Sequence, residues 1–145
     1  MSGPLTYTVT ATRVEAGVSV ASTGSAEIRL ETGADASDDL FGPADVLGAA
    51  FAGCLLKNVE RFSRILPFRY QGASVRVTLE REDRPPRIST VRYELRLATD
   101  EPEQRVQLLK RNLERFGTIY NTLSHACDVS GEIVVETHSP GGTKP

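Results

Sequence analysis

Residues Gly48 to Gly53 read Gly-Ala-Ala-Phe-Ala-Gly, and this run constrains the chain more than any other. It lies in a segment, Ala44 to Ile65, whose second half has helical periodicity. Leu55, Val59, Phe62 and Ile65 recur on one side, with Lys57, Glu60, Arg61 and Arg64 elsewhere. Pro43 suits the first turn of such a helix, where its missing N–H costs nothing. A helix surfaced with Gly and Ala buries little area of its own and lets another backbone come close. It therefore needs a large partner surface, and a homodimer is the natural expectation.

The flanking segments have the period of strands. Leu5, Tyr7, Val9 and Ala11 alternate with Thr6, Thr8, Thr10 and Thr12, which predicts a half-buried strand over Leu5 to Arg13. Arg13 has the parity of the apolar set and is expected on its core-facing side. Val18 with Val20, and Ile28 with Leu30, mark two more strands. Turns at Glu15-Ala16-Gly17 and Thr23-Gly24-Ser25 join them into a meander. Gly33 to Pro43 is a polar loop holding three aspartates.

Beyond the helix, Ala73, Val75, Val77 and Leu79 alternate with polar residues, as do Val91, Tyr93, Leu95 and Leu97. The turn Glu82-Asp83-Arg84-Pro85-Pro86 joins these two strands, and antiparallel pairing with one wet face is expected. Asp100 resembles an N-cap, with Pro102 in the first turn. Val106, Leu109, Leu113 and Phe116 form a helical stripe that stops at Gly117. A short helix over Thr118 to Ala126 delivers Cys127, and Ile133 to Val135 is a last strand. The order βββ-α-ββ-αα-β predicts an α+β fold in one domain, residues 1–138, with a flexible tail over 139–145. Tyr70, Tyr93 and Tyr120 read as strand and core aromatics.

Charge narrows the function. The formal net charge is −2 with both signs mixed along the chain, so the basic stripe of a nucleic-acid binder is missing. Val46 to Leu56 is the longest near-apolar run, and about 11 residues fall short of the roughly 20 that span a bilayer. Met1 to Thr8 lack a basic-then-apolar pattern, so no signal peptide is expected and a cytoplasmic location follows.

The chain has two cysteines, Cys54 and Cys127. Without a secretory signal they read as buried spectators, metal ligands or a redox pair. Cys54 as a nucleophile needs a cation to favour its thiolate. The helix N-terminus is about three turns away, too far for its dipole to serve. His125 stands two residues from Cys127, which points it elsewhere on a helix. Two histidines and two cysteines have no zinc spacing, so no metal is expected.

The run Pro43-Ala44-Asp45-Val46-Leu47-Gly48-Ala49-Ala50-Phe51-Ala52-Gly53-Cys54 resembles the helix signature of the osmotically inducible protein C / organic hydroperoxide resistance family. That signature is a proline, an acidic residue, a small and apolar run, then a reactive cysteine. Cys127-Asp128-Val129-Ser130 resembles the family's second motif, Cys-Pro-Val-Ser, with Asp128 in place of proline. The resemblance implies an intertwined homodimer built on two long helices flanked by antiparallel sheets. It implies thiol-dependent, peroxiredoxin-like reduction of organic hydroperoxides in oxidative stress defence, with no cofactor and an external thiol reductant. Cys54 becomes the peroxidatic residue and Cys127 the resolving one, with Arg13 of the opposite subunit activating the thiol. The best-known members carry glutamate directly after the proline. Here Ala44 stands there, and Asp45, one residue on, is the acidic candidate. Nine residues turn an ideal helix through about 900°, which puts Asp45 opposite Cys54. Its alternative reading is a carboxylate stabilising the helix N-terminus.

Three readings remain open at this stage: a hydroperoxide reductase, a binding module for a small apolar ligand with little turnover, and a purely structural homodimer.

Overall fold

The computed structural model describes residues 3–35 and 37–136. The tail expected over 139–145 lies outside the described residues. The chain divides into two compact units, Met1–Leu47 and Gly48–Pro145.

The first unit is the expected meander. β1 (Thr10–Glu15), β2 (Val18–Thr23) and β3 (Ala26–Glu31) pair antiparallel in the order β1-β2-β3. Both hairpin turns require glycine, because Gly17 and Gly24 have φ of 79° and 56°. A bulge at Val14 interrupts the register between Arg13 and Glu15. After β3 the chain doubles back, and the Phe41 carbonyl accepts the Glu31 amide at 2.8 Å.

One expectation fails here. β1 begins at Thr10, not Leu5, and Leu5 and Tyr7 are 77% and 82% exposed. The reason is the length of the neighbour. β2 ends at Thr23, whose hydroxyl donates to the Thr8 carbonyl at 2.9 Å. Residues earlier than Thr8 have run past the end of β2, the one strand that pairs with β1 among the described residues. Alternation dictates where side chains point; it does not supply a partner.

Helix α1 (Pro43–Ile65) starts where proline predicted and is unbroken at Gly48. In the second unit, residues of α1 from Gly48 onward join β4 (Gly72–Asp83), β5 (Pro86–Ala98), α2 (Glu103–Phe116), α3 (Thr118–Ser124) and β6 (Asp128–Glu136). β4 and β5 form the predicted antiparallel hairpin, and β6 lies on the other side of β5, parallel to it. The two helices between β5 and β6 are the crossover that parallel pairing needs. β6 is also longer than the Ile133-to-Val135 segment its apolar residues suggested.

Most of the core of this unit comes from three elements. β5 contributes Val91, Tyr93, Leu95 and Leu97, α1 contributes Phe51, Leu55, Val59 and Phe62, and α2 contributes Val106, Leu109 and Leu113. Ile65, expected on the buried stripe, is exposed. α2 begins after Pro102 rather than at Asp100: the Pro102 carbonyl accepts the Arg105 and Val106 amides. Thr99 holds the approach to this helix, its hydroxyl donating to the Arg69 carbonyl and accepting the Glu101 amide. Among the described residues, no helix is long and apolar enough to cross a membrane.

Candidate functional site

The small residues that open α1 serve close packing within the second unit. A Cβ on Gly48 would stand 2.9 Å from Leu79 Cδ1, so glycine lets α1 settle onto β4. One turn later Phe51, fully buried, meets the Tyr93 ring edge-on at 5.8 Å and the Tyr120 ring at 6.0 Å. Gly53, in contrast, has open space around it. The run is therefore small for two reasons: one side fits a sheet of the same chain, and another is left bare.

Cys54 lies between these sides and is half-buried. Its sulfur has an amide neighbour. Asn58, one turn further along α1, directs Nδ2 at Cys54 Sγ over 3.6 Å. Asn58 is itself buried, at 8% exposure, and was not singled out from sequence. The available signal was its place on the stripe Phe51, Leu55, Asn58, Phe62, where a polar side chain interrupts apolar ones. The α2–α3 junction passes close by. A Cβ on Gly117 would stand 2.7 Å from the Leu113 carbonyl oxygen and 3.7 Å from Asn58 Nδ2, so this junction has no room for a side chain.

Beneath Phe51 lies a polar group. The Tyr93 hydroxyl donates to Glu114 Oε2 at 2.5 Å, and Lys110 Nζ reaches the same oxygen at 3.0 Å. Burial, and then the bond to Glu114, push the Tyr93 phenol well above its usual range. Burial first, and then the charges of Glu114 and Asp128, push Tyr120 up as well. Tyr93 fulfils its reading as a core aromatic.

Cys127 stands at the entry to β6. The Leu123 carbonyl at the end of α3 accepts the Cys127 amide at 2.7 Å, and Cys127 Sγ donates to the Ile88 carbonyl at 3.3 Å. The thiol is half-buried. Arg87 approaches the same corner and donates to the Ala126 carbonyl at 2.9 Å while pairing with Glu82. Cys54 and Cys127 are both free thiols in this structure.

The two residues expected from the first unit have clear placements there. Arg13 pairs with Ser19 across β1 and β2. Cross-strand partners share a face, and Ser19 and Ala21 on that face are buried. The expected parity of Arg13 therefore holds, but its side chain, next to the bulge, is exposed. Asp45 Oδ2 accepts the Gly42 amide at 2.9 Å, and Gly42 in turn accepts the Val46 amide. This is the reach-back bond of a capping box, made from the third helical position. His125 caps the end of α3, and no group of three metal-ligating side chains occurs among the described residues. A hollow of about 590 Å³ is lined by Glu60, Ser63, Phe68, Arg69, Tyr70 and Gln71, with neither cysteine in its lining.

A three-stranded meander, a long helix bearing a thiol, and a second sheet completed by a crossover that carries another thiol define a small α+β thiol protein. Comparison with known proteins names the group. The family model described as OsmC-like protein matches residues 36–132, and the chain belongs to that family. An OsmC-like protein from Mycoplasma pneumoniae superposes with a TM-score of 0.83 at 17% identity, over 92% of this chain and 99% of that one. The organic hydroperoxide resistance protein OhrB of Bacillus subtilis does so with a TM-score of 0.67 at 18% identity, over 90% and 98%. An organic hydroperoxide resistance protein from Legionella pneumophila gives 0.74 at 13% identity, over 92% and 100%. Likeness at these identities establishes the fold. No curated protein sequence matches the chain.

Proposed function

We propose that this protein reduces organic hydroperoxides through its two thiols, as a cytoplasmic homodimer that needs no cofactor. The observation that carries this reading is the pair of free, half-buried cysteines, one on α1 and one at the start of β6, within an OsmC-like fold. Structural neighbours named as organic hydroperoxide resistance proteins support the substrate class.

The chemistry runs in three balanced steps. The Cys54 thiolate attacks the distal peroxide oxygen, the O–O bond breaks, and the alkoxide leaves as the alcohol after taking a proton. Cys54 is then a sulfenic acid. The Cys127 thiol displaces water from it, forming the Cys54–Cys127 disulfide. Two equivalents of an external thiol reduce that disulfide and are themselves oxidised to a disulfide. Arg13 of the partner subunit supplies the cation that a half-buried thiolate needs.

The binding-module alternative draws on one observation. Ala44 stands where the family's glutamate would be, and the Asp45 carboxylate is engaged by Gly42.

Cumene hydroperoxide separates the two readings. Peroxidase chemistry removes both thiols and two hydrogens of mass, and Cys127→Ser stops at a Cys54 sulfenic acid that dimedone traps. Survival of both thiols under excess hydroperoxide would leave the binding module as the better account.

A further inference from the structure

We infer that Asn58 is a positioning residue for Cys54: its side-chain amide orients the sulfur and favours the thiolate. The inference rests on Cys54 being the working thiol, and it adds a group that the two-cysteine scheme does not contain.

Three observations carry it. Asn58 occupies a core position of α1, between Leu55 and Phe62 on the same buried stripe, at 8% exposure. A buried carboxamide costs stability unless it is hydrogen-bonded, and asparagine is a poor residue for a helix interior. Asn58 therefore breaks the apolar pattern at a cost. Second, its amide is directed at Cys54 Sγ over 3.6 Å, across the four-residue spacing that stacks side chains on one helix face. Asn112 in α2 behaves differently and donates to the carbonyl of Leu108 in its own helix, at 2.8 Å. Asn58 spends its donor on the sulfur. Third, the amide has little room to swing away, because the α2–α3 junction comes close at Gly117.

An N–H directed at sulfur favours the charged form over the neutral thiol, since the bond strengthens with charge on the acceptor. It also fixes the Cys54 rotamer, so the lone pair that attacks is presented in one direction. An amide keeps this role at any pH, because it does not titrate.

The test reads Cys54 directly, apart from turnover. Cys127→Ser protein, with Cys54 as its only thiol, is alkylated with iodoacetamide across a pH series. Asn58→Leu keeps the volume and removes the donor. Asn58→Asp keeps the shape and places a carboxylate beside the sulfur. Both variants, folded by circular dichroism, are expected to alkylate about tenfold more slowly at neutral pH, the scale of losing a hydrogen bond to a charged group. Their rates should converge with the parent at alkaline plateau, so the midpoint moves upward. A role in packing alone would lower the rate equally at every pH. Unchanged profiles in both variants would overturn the inference.

Should the variants not fold, the parent protein still decides. The Asn58 side-chain amide proton is expected to shift with pH as Cys54 ionises and to stay flat in Cys54→Ser; a flat response in the parent overturns the inference. Hydroperoxide oxidation of the parent is scored separately. A thiol that resists hydroperoxide while the Asn58 profiles shift defeats the peroxidase proposal and leaves the role of Asn58 standing.

Discussion

The Tyr93 hydroxyl donates to Glu114 Oε2 at 2.5 Å, while its ring fills the space that a side chain on Gly131 would take. One residue of β5 thus ties α2 through its oxygen and β6 through its ring, in the same unit that carries Cys54.

This arrangement has a pH consequence. Tyr93 is 2% exposed, and burial together with Glu114 raises its phenol above the value near 10 of an unfolded chain. Above that pH the unfolded chain has released a proton that the folded one retains, so stability falls as pH rises. Tyr120 and Tyr70 are also raised and act with the same sign. Urea denaturation at about pH 9 and about pH 11 should show the decline. Tyr93→Phe should flatten part of it, after costing about 1.5–3 kcal/mol at neutral pH for a hydrogen bond lost from a carboxylate.

Gly131→Ala should be destabilising. A Cβ there would occupy the Tyr93 ring, and both residues are held in paired strands, Gly131 opposite Tyr93 in the β5–β6 register. Overpacking of this kind costs about 1–3 kcal/mol.

Asp45→Ala should remove the bond that closes the first turn of α1 and lower stability by about 1 kcal/mol. Asp45→Asn keeps an acceptor oxygen and should recover most of that loss while removing the charge. Cys54 alkylation in the pair then separates the two roles open to this residue. A rate that follows the charge implicates the carboxylate in activation, and one that ignores it leaves Asp45 a cap.

Arg13→Ala is expected to slow alkylation of Cys54 at neutral pH and to leave the melting temperature close to that of the parent, because Arg13 is exposed beside the β1 bulge. The effect depends on two subunits sharing a site. Light scattering at micromolar concentration should accordingly return twice the chain mass. A folded monomer, or unchanged alkylation, would remove Arg13 from the mechanism.

Much of the fold could be read along the chain. The element order, the glycine turns at Gly17 and Gly24 and the start of α1 at Pro43 are local matters of backbone preference and side-chain period. Family membership was legible as well, from the motifs around Cys54 and Cys127. Four features were decided elsewhere. β1 begins at Thr10 because β2 ends where it does, and β6 extends to nine residues because β5 lies parallel beside it. Gly131 is glycine because of Tyr93, 38 positions earlier by register. Asn58 could be seen as a polar interruption of an apolar stripe, but only the packed helix aims its amide at sulfur. A sequence determines the direction each side chain takes from its own backbone. Which atom it meets depends on residues far along the chain, and that is settled only when the elements pack.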